Sequence, residues 1–320
     1  MILEYEESVM IIGTIGYAIS LLITLLLYKF LGHKDLKVRK IPIFILTMII
    51  LLFEIIKQIK NVIPGLNPYT MNFNNDGVSF QGYALPFHLC SFFIFFPVLS
   101  FITKGKVKDF FENMTLVWAI AITVFTVFYP QSIYGDQVRE FYNGGVFSHS
   151  IFFHQSAILY LMLIIALRPY EIGIKKIWYV AVGFILYGAI AIPMAFIFKA
   201  NYCSILSCDF FPVLDTIRVN YGYPVYLPIL LLIGIVFGSI LYLIALGVKE
   251  LRKVASSELG FFIGFSITAI ILIPVAFIYK SLGASSMTYI YVLMIEFIIP
   301  SFISIIIDRI IKKNKKKAVE

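Results

Sequence analysis

The sequence predicts an all-α fold, a polytopic transmembrane helix bundle of about nine helices. The chain of 320 residues is 60 % hydrophobic and only 14 % charged, whereas soluble domains average about 45–50 % apolar and about 25 % charged residues. The apolar residues also fall in continuous runs, and a run of roughly 18 or more is what a bilayer-spanning helix requires. A transmembrane barrel would instead show short segments of alternating hydrophobicity, so the runs favour helices.

The apolar runs place the helices along the chain. The gaps at 63–84 and 200–224 are rich in Pro, Gly, Asn and Tyr, which predicts structured loops and leaves no room for a second domain. We therefore expect residues 1–320 to form a single integral membrane domain. The helices are predicted near residues 9–30, 41–62, 85–103, 110–130, 147–167, 177–199, 225–247, 259–280 and 287–309.

The basic residues are distributed unequally between alternate loops. Most of the 26 Lys and Arg residues follow predicted helices 1, 3, 5 and 7 or lie in the tail after helix 9. The positive-inside rule then predicts an N-terminus outside and a C-terminus in the cytoplasm. The net charge of +8 is thus a topology signal and not a nucleic-acid-binding surface.

We expect a multi-pass protein of the cell membrane whose partners are membrane phospholipids. The sequence carries no signal for an oligomeric state.

Several ionisable or nucleophilic side chains lie inside the predicted helices, where polar groups are costly and usually functional. At a rise of about 1.5 Å per residue, they fall within roughly 15 Å of the predicted outer surface. Far fewer ionisable groups lie in the opposite half, so the pattern indicates a polar chamber that opens outward. These residues are Glu54, Lys57, His88, Cys90, His149, His154 and Glu296.

Each of these residues also has a simpler explanation. Glu54 and Lys57 are three residues apart on a helix and can pair with each other. Glu296 can hydrogen-bond a neighbouring helix. His88 and His149 are shallow enough to be interfacial residues. These alternatives remain open at the level of sequence.

A metal site is a further alternative for the histidines and the cysteine. His88 and Cys90 are two residues apart, about 200° around a helix, and His149 and His154 are five apart. Neither pair shares a helix face, so no metal is expected, although these residue types are zinc ligands. The sequence has no Walker loop, Rossmann fingerprint or H-E-x-x-H motif, and no cofactor is expected.

The three cysteines are too few for a disulfide framework. Cys203 and Cys208 lie together in a predicted outer loop, where an oxidising exterior permits a bond. Two unpaired thiols are equally consistent with the sequence. Cys90 lies inside predicted helix 3 and is either a small buried hydrophobe or a functional thiol.

Three segments resemble the YwaF-like family of bacterial integral membrane proteins, over about residues 40–300. Leu-Pro-Phe-His-Leu-Cys at 85–90 is similar to the family's L-P-x-H-L-C motif, and His154 is similar to its histidine two helices later. Asn-Tyr at 201–202, followed by a proline and a closing P-x-Y, resembles the family's loop. Tyr223 stands where that loop usually has tryptophan.

The resemblance implies a lipid-modifying function. The same superfamily includes eukaryotic intramembrane acyltransferases that remodel ether phospholipids with a Cys and a His, and its architecture is similar to that of the androgen-induced lipid hydrolases. Cys90 would then be the nucleophile and His154 the base, through an acyl-thioester intermediate. We expect these two side chains to face each other within one bridging water. The expected substrate-binding residues are His88, His149, Glu54, Glu296, Asn201 and Tyr202.

Two other function classes compete with an acyltransferase or lipid hydrolase. A transporter or channel is favoured by prolines at 97, 193, 274 and 300, because broken helices with intramembrane charge are typical of transporters. A non-catalytic lipid-binding membrane protein is the other alternative, in which Cys90 only fills space.

Overall fold

The computed structural model describes residues 5–69, 75–78, 80–128, 149–208 and 211–254, together with positions 306 and 310. This part of the chain is 81 % helical, which confirms the all-α class. A small antiparallel hairpin pairs β1 (Gly65–Leu66) with β2 (Asn75–Val78). The helices of these residues are α1 Tyr5–Leu31, α2 Leu36–Arg39, α3 Ile41–Val62, α4 Leu89–Phe92, α5 Phe95–Ile102, α6 Gly105–Phe128, α7 His149–Leu167, α8 Trp178–Phe198, α9 Pro212–Tyr221 and α10 Tyr223–Val254, with 3-10 turns at Gly82–Ala84, Ile174–Lys176 and Tyr202–Ser204.

The chain divides into two compact units, Met1–Leu243 and Ile244–Glu320. The ion pairs and hydrogen bonds of the helix bundle lie within the first unit. In the second unit, the described residues are the C-terminal turns of α10 and the exposed Ile306 and Ile310.

Five of the described helical stretches are long and apolar enough to cross a membrane, and they coincide with predicted helices 2, 4, 5, 6 and 7. Predicted helix 1 is present as α1. Its apolar part, Ile19–Leu31, is shorter than the five stretches. The helices predicted at 259–280 and 287–309 lie outside the described residues, so the total of nine stays a prediction. The five stretches are Leu36–Val62, Gly105–Thr126, His149–Leu167, Ile174–Phe198 and Tyr223–Gly247.

Predicted helix 3 is where the structure differs most from the prediction, because it is not continuous over 85–103. The chain forms the short helix α4, breaks between Phe92 and Phe95, and resumes as α5. Pro97 explains the break, since its ring would collide with the carbonyl of Phe93 in a continuous helix. Pro97 is the third residue of α5, where a backbone N–H has no partner within the helix. The N–H that proline lacks therefore costs no helical hydrogen bond. Leu85, before Pro86, is extended at φ −65° and ψ 151°, as residues before proline prefer.

Helix α7 is the central helix of the first unit and packs against α1, α3 and α6. Nearly all its side chains are buried, including polar ones, and a helix that is apolar on all sides is typical of an interior position. Helices α6 and α8 meet at Trp118, whose ring centroid lies 4.6 Å from that of Phe184.

Because α3 and α7 run antiparallel, the last turns of α3 lie beside the first turns of α7. We call this end of the bundle the site end.

At the opposite end of the bundle, ion pairs join side chains of different chain segments. Lys40 pairs with Glu112 at 2.6 Å, and Lys176 pairs with Asp109 at 2.6 Å. The hydroxyl of Tyr242 donates to Oδ1 of the fully buried neighbour Asn113 at 2.9 Å. Three of these four charged residues lie just outside the predicted helices, so the expectation that ionisable groups inside the helices concentrate in one half stays a prediction.

Candidate active site

A buried ion-pair network occupies the site end between α3 and α7. The Nζ of Lys57 lies 2.9 Å from Oε1 of Glu54, and Nε2 of Gln58 donates to the same oxygen at 2.8 Å. The second carboxylate oxygen, Oε2, lies 3.3 Å from Nε2 of His149. Glu54, Lys57 and His149 are each 3–4 % exposed. Glu54 thus faces the interior, as the cost of a carboxylate in lipid requires, and it pairs with Lys57 and His149 together.

The segment 81–88, which leads to Cys90, is held by side chains from three directions. Asn61 on α3 exchanges two hydrogen bonds with the backbone of Gln81, at 2.9 and 3.1 Å. The hydroxyl of Tyr187 on α8 donates to the carbonyl of Phe87 at 3.0 Å. The hydroxyl of Tyr202 donates to the carbonyl of Gly82 at 2.6 Å. Non-helical backbone at membrane depth is stable only where protein groups satisfy it, and these three side chains meet that need.

Gly82 is the point at which this segment approaches helix α8 most closely. A Cβ at position 82 would lie 2.9 Å from Cβ of Phe198 and 3.0 Å from its carbonyl oxygen. Such distances leave no room for a side chain. The absence of one at Gly82 therefore lets the segment lie against the C-terminal turn of α8.

His88 ends the anchored segment and is enclosed by aromatic rings. Its ring centroid lies 4.1 Å from that of Tyr83 and 5.1 Å from that of Tyr202, both in edge-to-face geometry. Within the described parts of the chain, the buried Nε2 has no hydrogen-bond partner. Buried polar atoms are normally paired, so this nitrogen is a candidate contact for a bound molecule.

His154 lies on α7 in an orientation that indicates its tautomer. Its Nδ1 lies 2.7 Å from the carbonyl oxygen of Ser150, one turn earlier on α7. A carbonyl can only accept a hydrogen bond, so Nδ1 carries the hydrogen. In the neutral imidazole, Nε2 is then the basic nitrogen. The side chain is 5 % exposed, which places this nitrogen in the bundle interior.

Cys90 lies in the first turn of α4 as a half-buried free thiol. The ammonium of Lys57 interacts electrostatically with this thiol and with the imidazoles of His88, His149 and His154. Three separate chain segments therefore lie within electrostatic range of one buried cation. We call the following residues the polar cluster: Glu54, Lys57, His88, Cys90, His149 and His154.

The predicted loop residues Asn201 and Tyr202 have different roles in the structure. The side-chain amide of Asn201 donates to Ser207 Oγ and to the Ser207 carbonyl at 2.9 and 3.0 Å, and its oxygen accepts from the N–H of Leu206 at 2.8 Å. These bonds close the loop, and a substrate contact from Asn201 would have to replace one of them. Tyr202 is fully buried and reaches the polar cluster by packing on His88.

The remaining residues singled out from the sequence are Glu296 and the two loop cysteines. Glu296 lies outside the described residues. Cys203 is an exposed free thiol and Cys208 a buried one, so the structure joins neither in a disulfide. Among the residues that the structure describes, no three His, Cys, Asp or Glu side chains are arranged to hold a metal ion.

The comparison with family models identifies the family of the chain. The model of the TMEM164 family matches residues 3–242. The chain belongs to this family. No curated protein and no solved structure matches it. The match identifies a TMEM164-family membrane protein, whereas the narrower YwaF-like resemblance stays a prediction.

The matched region of this TMEM164-family protein contains the whole polar cluster and several site residues that the sequence did not predict. Tyr187 and Asn61 anchor segment 81–88, and Tyr69 lies on the loop after α3. For Tyr69 the available signal was the concentration of Asn, Pro, Gly and Tyr in the gap at 63–84, which indicates an ordered loop. The partners of these residues are far away in the chain, and no spacing rule predicts them.

Proposed function

We propose that the protein is an intramembrane lipid acyltransferase or lipid hydrolase in which Cys90 is the nucleophile and His154 the base. The observation that carries the proposal is the orientation of His154, whose Nε2 is the basic nitrogen in the same buried cluster as the Cys90 thiol. Family membership and the Leu-Pro-Phe-His-Leu-Cys segment agree with this assignment. The approach of the two side chains to within one bridging water is part of the proposal.

The first half of the reaction transfers an acyl group to the protein. Nε2 of His154 takes the thiol proton, and the Cys90 thiolate attacks the ester carbonyl of a phospholipid. The carbon–oxygen bond of the ester then breaks, and the leaving lysolipid oxygen receives the proton from the imidazolium. The product of this half is an acyl thioester on Cys90.

The second half releases the acyl group from the thioester. An acceptor hydroxyl gives its proton to Nε2 of His154, its oxygen attacks the thioester carbonyl, and the carbon–sulfur bond breaks. The thiolate then regains a proton from the imidazolium. A lipid hydroxyl as acceptor gives acyl transfer, and water gives hydrolysis. The positive charge of Lys57 stabilises the thiolate in both halves.

A thioester on Cys90 is the decisive expected observation. The purified protein, reconstituted with phospholipid that carries a labelled acyl chain, should retain label that neutral hydroxylamine releases. Peptide mass spectrometry should locate the label at Cys90 and not at the exposed thiol of Cys203. Retained label at Cys203, or none at all, would reject the proposal.

The orientation of the chain is a second expected outcome. The charge asymmetry of the loops predicts that the lysine-rich tail at 312–317 is cytoplasmic and that the N-terminus is outside. A cysteine introduced into the tail should react with a membrane-impermeant maleimide only after the cells are opened. Labelling of the tail in intact cells would contradict the orientation and would place the active site near the inner leaflet.

The broken entry to α4 supports one competing function. Non-helical backbone beside a buried ion pair is also found at the binding sites of transporters. A transporter would move a solute into sealed vesicles without forming a thioester on Cys90. Vesicle uptake and hydroxylamine-sensitive labelling, measured on the same preparation, distinguish the two functions.

A further inference from the structure

The loop after α3 places a tyrosine hydroxyl beside the polar cluster. The hydroxyl oxygen of Tyr69 is buried and has no hydrogen-bond partner in the described part of the chain. It interacts electrostatically with the thiol of Cys90, with the carboxylate of Glu54 and with the hydroxyls of Tyr83 and Tyr202. An unpaired buried hydroxyl is destabilising, so its presence within electrostatic range of a candidate nucleophile calls for an explanation.

The backbone of Tyr69 is fixed on both sides. Its N–H donates to Oδ1 of Asn67 at 3.0 Å, and its carbonyl accepts from the N–H of His149 at 2.9 Å. The second bond attaches the loop to the first residue of α7, the helix that also carries His154. The position of Tyr69 relative to the polar cluster is therefore set by a helix and not by a free loop.

Attack on an ester or thioester carbonyl moves negative charge onto the carbonyl oxygen. Enzymes stabilise this charge with fixed hydrogen-bond donors that are aimed at the position of the oxyanion, and tyrosine is among the side chains that serve. Burial raises the pKa of the Tyr69 phenol, so this group keeps its proton and can donate. A donor that no group of the described residues uses in the resting state needs no rearrangement when the charge develops.

Apart from histidine ring nitrogens, which donate or accept according to the tautomer, two other buried donors lack a partner in the described residues: Nε1 of Trp118 and Nε of Arg39. Trp118 packs among the rings of Phe96 and Phe184, and Arg39 lies at the opposite end, where it donates from another nitrogen to the carbonyl of Leu167. Neither is placed to reach an acyl group on Cys90. The phenol of Tyr69 is the donor that combines burial with an electrostatic interaction with the Cys90 thiol.

We propose that the Tyr69 hydroxyl is an oxyanion-hole donor, which stabilises the tetrahedral intermediates formed when an acyl group enters and leaves Cys90. This inference rests on the proposed function. The donated hydrogen bond strengthens as the carbonyl oxygen becomes an anion and weakens when the carbonyl re-forms, and the proton stays on the phenol throughout.

The variant Tyr69→Phe tests this role, because it removes only the hydroxyl. Single-turnover acylation of Cys90 by labelled phosphatidylcholine should slow by roughly 10²–10³-fold, the loss typical of one oxyanion donor. Alkylation of Cys90 by iodoacetamide develops no oxyanion, and its rate should stay within about twofold of the wild-type rate. Thermal stability should not fall, because the deleted hydroxyl has no partner to lose.

Tyr221→Phe is the matched control, because it makes the same chemical change at a tyrosine that is 67 % exposed. This variant should acylate at the wild-type rate. Unchanged acylation in Tyr69→Phe, or equal losses of acylation and alkylation, would overturn the donor role alone. Failure of wild-type Cys90 to become acylated would reject the proposed function and the donor role together.

Discussion

Replacement of Cys90 by alanine is expected to lower acyl transfer by at least roughly 10³-fold, because the proposed mechanism forms its acyl intermediate on this thiol. The change removes one half-buried sulfur atom, so the fold should persist. The measurement is the transfer of a labelled acyl chain to a lysolipid by the reconstituted variant, with thermal unfolding as the check on folding. Wild-type transfer by Cys90→Ala would end the covalent mechanism.

A matched control and a double variant sharpen this expectation. Cys208→Ala makes the same change at a cysteine that packs against Leu214 and Tyr226 outside the polar cluster, and it should retain transfer. His154→Ala should lose activity to a similar extent as Cys90→Ala. The double variant should be no worse than Cys90→Ala, because a nucleophile and its base act as a unit. Additive losses in the double variant would indicate that His154 acts independently of the thiol.

Replacement of Lys57 by methionine is expected to destabilise the protein by roughly 3–5 kcal/mol, because it leaves the Glu54 carboxylate buried without its cation. Glu54→Gln should cost a similar amount, since it leaves the ammonium uncompensated. The double variant Glu54→Gln/Lys57→Met should be more stable than either single variant, because removal of both charges removes the unpaired one. Denaturant titration in detergent micelles measures the differences.

The chain contains a close counterpart for this comparison. Asp215 and Arg218 on α9 have the same three-residue spacing and a similar distance of 2.8 Å, but their side chains are 33 % and 25 % exposed. Those of Glu54 and Lys57 are 5 % and 3 % exposed. Arg218→Met should therefore cause a much smaller loss of stability than Lys57→Met, because water screens a surface pair. Equal losses would show that burial is not what makes the Glu54–Lys57 pair important.

The sequence determined the membrane class and the approximate positions of most helices. The run at 41–62 predicts α3 to the residue, because a spanning helix satisfies its own backbone and depends only on local composition. Over the described residues, helix α7 matches the predicted run and ends at Leu167, as predicted. The sequence also singled out the six residues of the polar cluster, since ionisable groups inside an apolar run are rare and conspicuous.

Only the tertiary structure decided how these residues are connected. Glu54 meets His149 because α3 packs on α7, and these residues are too far apart in the chain for any periodicity to relate them. The non-helical segment 81–88 leaves backbone groups without helical partners, and the side chains that satisfy them come from α3, α8 and the loop at Tyr202. The same packing buried the hydroxyl of Tyr69, whereas the tautomer of His154 follows from a contact within α7. Local composition therefore determines which segments enter the membrane, whereas the hydrogen bonds and ion pairs of the site depend on which helices pack together.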